Sequence, residues 1–206
     1  MLKIWGRISS INVRKVVLAT QWMGLPFERI DAGHEFGVVR TAPYLARNPN
    51  ALVPVLEDGD FVLWESNVIV RYLCARHSLG DLYPEALPAR FDAERWMDWQ
   101  QTALNPAGRD AFVQHFRTPL EQRDHSLIER SAAATEPLLD LLDAHLAVRP
   151  FVAGNAMTMA DFPLACEIHR WRAVPVPHPT RPHLDRWYDA IRRAPAASGV
   201  LDVSLS

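Results

Sequence analysis

Residues 48–66 read NPNALVPVLEDGDFVLWES, and this stretch decides the fold. Two β-rich runs, residues 53–56 and 61–64, flank Asp58-Gly59, a dipeptide that tolerates the positive φ angles of a tight turn, so the spacing predicts a β-hairpin. Ser66 opens a helical pattern that buries Ile69, Tyr72 and Leu73. Pro54 starts the first strand, a position where a missing N–H is tolerated. Because an X-Pro bond has a small trans preference, a cis Val53–Pro54 bond is accessible and would aim the Val53 N–H and C=O outward, where an extended peptide could pair with them.

Upstream of the hairpin the chain opens as β-α. Leu2 and Ile4 mark a strand, Val13, Val16, Val17 and Thr20 recur at helical spacing, and Gly24 and Pro26 end that helix. Residues 27–31 form a second strand, followed by a long loop with at most one short helix around Gly33, Gly37, Pro43 and Pro49. Downstream, the Gly- and Pro-bearing segment 78–87 reads as a linker. Beyond it only helical stripes recur: Trp96, Trp99 and Ala103; Ile128, Ala132, Thr135, Leu139, Leu142 and Leu146; then Leu184, Trp187, Tyr188 and Ile191. The expected architecture is therefore an α/β domain over 1–77, a linker over 78–87 and an all-α domain over 88–206. Pro137 lies inside the longest stripe, where a lost backbone donor costs roughly 3 kcal/mol, so a kink or break is expected there. In MTMADF, residues 157–162, Thr158 caps a helix, Asp161 reaches back as an acidic form of the capping box, and Met157 staples onto Phe162.

With 206 residues, 49% of them hydrophobic, the chain can bury a substantial core. Its net charge of −2 argues against a nucleic-acid partner, which calls for a concentrated basic face. No apolar run is long enough for a membrane span and the N-terminus has no signal-peptide pattern, so the reading is cytoplasmic. Cys74 and Cys166 sit in separate apolar patterns and read as reduced core thiols. The eight histidines lack zinc-ligand spacing, so no metal is expected, and His115 reads as surface or core.

Three pieces converge: the hydroxyl-rich turn Ser9-Ser10 before the first helix, the Val53–Pro54 step, and Glu65-Ser66 at a helix start. In this order they resemble the glutathione transferase family, and the resemblance extends over nearly the whole chain, including the linker, the helical region and the capping motif. SINV, residues 10–13, is similar to the Ser-x-Asn-Val turn of its serine-type classes, the plant phi and theta-like bacterial members. The resemblance implies a thioredoxin-like N-terminal domain and glutathione as co-substrate. It also implies a small hydrophobic electrophile as the second substrate, a homodimer, and a role in detoxification. The reaction expected is conjugation of the glutathione thiolate to an apolar electrophile. Glutathione-dependent reduction, dehalogenation or isomerisation on the same site, or a non-catalytic binding module, are the alternatives.

The site roles follow. Val53 and Pro54 present the backbone that pairs with the cysteinyl unit of glutathione. Ser66, at the electropositive start of a helix, suits the γ-glutamyl carboxylate, and Glu65 suits the α-ammonium beside it. Arg40 resembles by position the lysine that holds the glycine carboxylate in phi-class members. Val39 and Leu52 depart from that class, which has histidine and glutamine there, so other groups also serve the glycine end. A free thiol with a pKa near 8.5 is only a few per cent ionised at neutral pH, and the thiolate is the nucleophile. Ser10 is the expected hydrogen-bond donor to it; a two-unit pKa shift corresponds to about 2.7 kcal/mol. Ser9 and Asn12 are alternatives, since zeta-class members carry a Ser-Ser pair and some bacterial members use asparagine. The electrophile pocket is expected between the domains, lined by Ile11, Trp99, Phe112 and Phe116.

Overall fold

The computed structural model describes residues 1–205. Strands β1 (Leu2–Trp5), β2 (Phe27–Ile30), β3 (Val55–Asp58) and β4 (Phe61–Trp64) form one sheet in the order β2-β1-β3-β4. β2 runs parallel to β1, while β3 pairs antiparallel with both β1 and β4. Helix α1 (Ile11–Trp22) makes the β1-to-β2 crossover, and α3 (Ser66–His77) leaves the end of β4 and packs on α1. Side-chain alternation explains how the sheet is covered. Ile4 and Leu56 point into the main core with α1 and α3, whereas Val55 and Trp5 point to the opposite face, where Tyr44 of α2 (Ala42–Leu45) closes a smaller cluster.

The hairpin is present with its register shifted. The strand starts at Val55, not at Val53, directly after the cis Val53–Pro54 peptide. Asp58 pairs with Phe61, so the two-residue turn is Gly59-Asp60, with Gly59 at φ +62°. The loop before it holds one more helical turn than expected, a 3-10 turn at His34–Phe36 in addition to α2. Tyr72 is only partly buried, since its hydroxyl reaches out to Asp58.

Residues 78–86 carry no helix and contain one isolated bridge between Leu79 and Tyr83. Beyond them come α4 (Leu87–Trp99), α5 (Asn105–Phe116), α6 (His125–Leu146), α7 (Asp161–Ala173) and α8 (Pro182–Arg192). A π-helical turn at Gln100–Leu104 joins α4 to α5, so the chain climbs from one to the other without leaving a helical path. Of the kink or break expected at Pro137, the break does not occur: α6 runs through it, and Thr135, Leu139 and Leu142 on either side are all buried. Packing of that continuous stripe outweighs the single lost hydrogen bond.

The capping motif forms and does more than cap. Asp161 Oδ2 accepts the Thr158 N–H at 2.8 Å, while Oδ1 accepts the Val152 N–H at 3.2 Å and the Trp187 indole N–H at 2.8 Å. One buried carboxylate thus ties the start of α7 to the preceding loop and to α8. Both cysteines are fully buried and reduced, and burial pushes both thiols up to about 12.

Helix α1 is the surprise of the core. Packed against α3 on one side and α7 on another, it buries Arg14 and Lys15 completely along with its apolar stripe. Arg14 meets its donors' needs with backbone carbonyls: Ile8 at 2.8 Å, Val203 at 3.1 Å and Ser204 at 2.7 Å, with Val200 alongside. These bonds pin the C-terminal tail to the helix. Lys15 donates to Gln100 Oε1 at 2.9 Å and Gln101 Oε1 at 3.2 Å, in the π turn. Gln100 passes the network on to Glu167, which ion-pairs with Arg170.

Candidate active site

The turn between β1 and α1 faces a cavity of about 290 Å³ against α5. Ser9, Ser10, Ile11 and Asn12 line one wall, Leu52 and Val53 an adjoining one, and Asn105, Phe112 and Val113 the wall across from them. Ser10 is the N-cap residue of α1, with extended backbone (φ −77°, ψ 123°); its N–H donates to the Arg7 carbonyl at 3.1 Å and its own carbonyl accepts the Arg14 N–H at 3.0 Å. Its hydroxyl makes no capping bond. A serine placed only to cap would spend that oxygen on the second or third helical N–H, so the side chain here is left available for something else. Ser9 Oγ is buried and also without a partner among the described residues.

Asn12 and Ser66 connect the two helix starts. The Ser66 hydroxyl, on a residue only 5% exposed, donates to Asn12 Oδ1 at 3.3 Å. That use of Oδ1 leaves the Asn12 NH₂ as a pair of unspent donors. Glu65, just before α3, adopts φ +74°, a left-handed conformation uncommon for a residue with a side chain, and its carboxylate is exposed. The strain belongs to a segment that sets the first N–H groups of α3 beside Asn12. Val53 lies next to the cis bond, and neither its N–H nor its C=O is bonded within the chain among the described residues. The preceding carbonyl, of Leu52, is taken twice, by the Tyr44 hydroxyl and the Asn48 amide, each at 2.9 Å. The loop is therefore anchored at Leu52 and presents an open backbone edge at Val53.

The structure brings Ser9, Ser10, Ile11, Asn12, Val53 and Phe112 into one cleft, with Ser66 bonded to its edge. Phe116 sits one turn along, stacked on Phe112 at 5.1 Å and lining a neighbouring groove. Trp99 is not on the cleft wall; it is partly buried and packs edge to face on Trp96 against the core. Arg40 is exposed and makes no ion pair among the described residues. His115 has both ring nitrogens buried without partners, and burial followed by the Arg123 charge pushes its pKa down, so it stays neutral near pH 7.

Sequence reading missed the arginines. Arg7, Arg109, Arg117 and Arg170 all line the cleft. Two could have been found: Asn105, Arg109 and Val113 recur every four residues on α5 with Phe112 three residues after Arg109, so Arg109 shares their face, and Arg117 continues the four-residue spacing at the C-cap of the helix. Arg7 gave no such signal. Its side chain runs past Gly33, where a Cβ would stand 3.1 Å from Nη1.

Comparison with known proteins agrees with this geometry. Residues 6–81 match the family model described as glutathione S-transferase, N-terminal domain, and residues 126–190 match glutathione S-transferase, C-terminal domain. The chain is 40% identical to glutathione S-transferase GstB of Escherichia coli (strain K12), covering 100% of both chains, and 32% identical to glutathione S-transferase 3 of Zea mays over 95% of this chain and 90% of that one. Among solved structures, it superposes with a TM-score of 0.95 and 40% identity on the theta class glutathione S-transferase of Xanthomonas axonopodis pv. citri with glutathione bound, covering 100% of this chain and 99% of that one.

Proposed function

This chain belongs to the glutathione S-transferase family, and from that premise we propose that it binds glutathione across the starts of α1 and α3 and conjugates the sulfur to an electrophile held against α5. The observation that carries the reading is the convergence, in one cleft, of an unspent Ser10 hydroxyl at a helix N-cap and the open Val53 backbone edge. The peptide backbone of the cysteinyl unit pairs with Val53 in the manner of an added strand. Ser66 and the first N–H groups of α3 receive the γ-glutamyl carboxylate, with Glu65 for the ammonium. Arg40, at the far end of the loop, serves the glycine carboxylate.

Ser10 is the thiolate donor. It stands at the N-cap itself, where its O–H and the partial positive charge of the helix end act on the same anion. Ser9 Oγ is closed off from solvent, and Asn12, although its NH₂ is unspent, sits inside the first turn of α1 and not at the cap, held through Oδ1 by Ser66. Catalysis is thiolate stabilisation plus positioning: the cleft holds the sulfur anion beside the electrophilic carbon, the S–C bond forms, and the leaving group departs with its electron pair.

The enzyme acts in the cytoplasm as a homodimer in detoxification. Support for the dimer comes from the exposed apolar side chains of Phe61, Val62, Trp64 and Val68 on β4 and α3, which need a cover. The deciding experiment is calorimetric titration with glutathione, paired with a spectroscopic measurement of the bound thiol's ionisation. Millimolar or tighter binding with a thiol pKa below that of free glutathione is expected. An unshifted thiol rules out the catalytic role of Ser10.

A further inference from the structure

The cleft wall carries four guanidinium groups, from Arg7, Arg109, Arg117 and Arg170, and, among the described residues, no carboxylate. Arg170 is neutralised within the protein: it is buried and ion-paired with Glu167, and it donates to Asn105 Oδ1 at 2.9 Å. Arg109 has Asp110 at 3.8 Å, a neighbour that does not line the cleft, and Arg7 and Arg117 have no acidic partner among the described residues. The Arg117 and Arg170 guanidinium carbons lie 5.1 and 5.5 Å from the centroid of the Phe112 ring. Burial, then the like charges of Arg7, Arg170 and Arg109, push the Arg117 pKa down. A protein of net charge −2 has thus gathered mutually repelling cations around one aromatic ring in its cleft.

We propose that the acceptor half of the cleft selects anionic electrophiles: a molecule whose reacting body lies against Phe112 and whose carboxylate is held by Arg109 and Arg117. A carboxylate offers Arg117 the acidic partner it lacks among the described residues and Arg109 a closer one than Asp110, and a planar body fits against the Phe112 ring. Arg109 on α5 and Arg117 at its C-cap belong to an element that supplies nothing to the glutathione set, so their charge is directed at the acceptor. This rests on the transferase reading above and narrows its substrate class.

The test uses a matched pair, 4-chloro-3,5-dinitrobenzoate and 4-chloro-3,5-dinitrobenzamide, with the full chain and glutathione. In both, sulfur bonds to the chlorine-bearing ring carbon, chloride leaves with the C–Cl electron pair, and the thiol proton goes to water. With each kcat/KM divided by the uncatalysed rate, the expected preference for the benzoate is about tenfold at low salt, shrinking as ionic strength screens the charges. Arg109→Gln and Arg117→Gln each lower that preference at least several-fold. A preference at or below one in the unsubstituted enzyme overturns the proposal. So does an unchanged preference in both variants accompanied by a raised glutathione KM, which assigns the arginines to glutathione's own carboxylates. Calorimetric binding of the two purified conjugates separates this from failure of the transferase reading. Tighter binding of the carboxylate conjugate with no turnover of either acceptor sinks the enzyme while supporting the anion site, and equal binding sinks the anion site.

Discussion

The Ser66 hydroxyl reaches Asn12 Oδ1 across 3.3 Å and so joins the first turns of α1 and α3, two helices 54 positions apart in sequence. In a largely buried setting such a bond contributes about 1 kcal/mol, and it fixes which end of the Asn12 amide carries the free donors. A double-mutant cycle with Asn12→Ala and Ser66→Ala is expected to give a coupling of about 0.5–1.5 kcal/mol in denaturant unfolding. Strictly additive effects would show that the two side chains do not act as a pair.

Ser10→Ala removes the proposed donor without removing a cap, since the Ser10 hydroxyl makes no capping bond. The thiol of bound glutathione is expected to rise by about 1–2 pKa units, with kcat/KM at slightly acid pH falling about 10- to 100-fold and thermal stability nearly unchanged. Ultraviolet thiolate absorbance against pH measures the first effect. A larger loss in Ser9→Ala would transfer the role to Ser9.

Lys15 gives stability an unusual dependence on alkaline pH. Burial pushes its ammonium down to about 8, against 10.5 for a free lysine. Between those values the unfolded chain binds the proton that the folded chain has lost. Stability therefore rises with pH across that window, by at most about 3 kcal/mol, and below pH 8 the contribution is flat because both states are charged. The clean comparison is with Lys15→Met. From pH 8 to 10 the natural protein gains stability relative to the variant; a constant difference between their unfolding curves contradicts the assignment.

Asp161 accepts bonds from Thr158, Val152 and Trp187, and none of the three donors has water to fall back on. Asp161→Asn puts an NH₂ where N–H groups already point. The expected cost is about 2–4 kcal/mol in chemical denaturation, with glutathione affinity of the surviving folded protein little changed. A shift below about 0.5 kcal/mol would mean that the loop and α8 hold themselves without it.

Much of this molecule was legible in local chemistry. The strand and helix periodicities, Asp58-Gly59 as a hairpin signal, the capping box at Thr158 and Asp161, and the two core cysteines are dictated by interactions within a few residues, or by burial of a contiguous apolar stripe. Ser10 and Ser66 were readable as helix starts and Val53 as the step before Pro54, and the resemblance to the glutathione transferase family grouped them; the fold sets Ser10 and Val53 on one cleft with Ser66 bonded to Asn12 at its edge. Other features depend on which elements meet. The burial of Arg14 and Lys15 required residues 200–204 and the π turn, along with α7, to cover the polar side of α1; Trp99 packed on Trp96 against the core, away from the cleft; and Pro137 stayed helical because a long packed stripe outweighed one missing hydrogen bond. The arginine-lined wall is the clearest case. Arg7 lies about a hundred positions from Arg109, so their shared charge exists only once α5 is laid across the mouth of the sheet, and local propensity carries no information about a long-range electrostatic field.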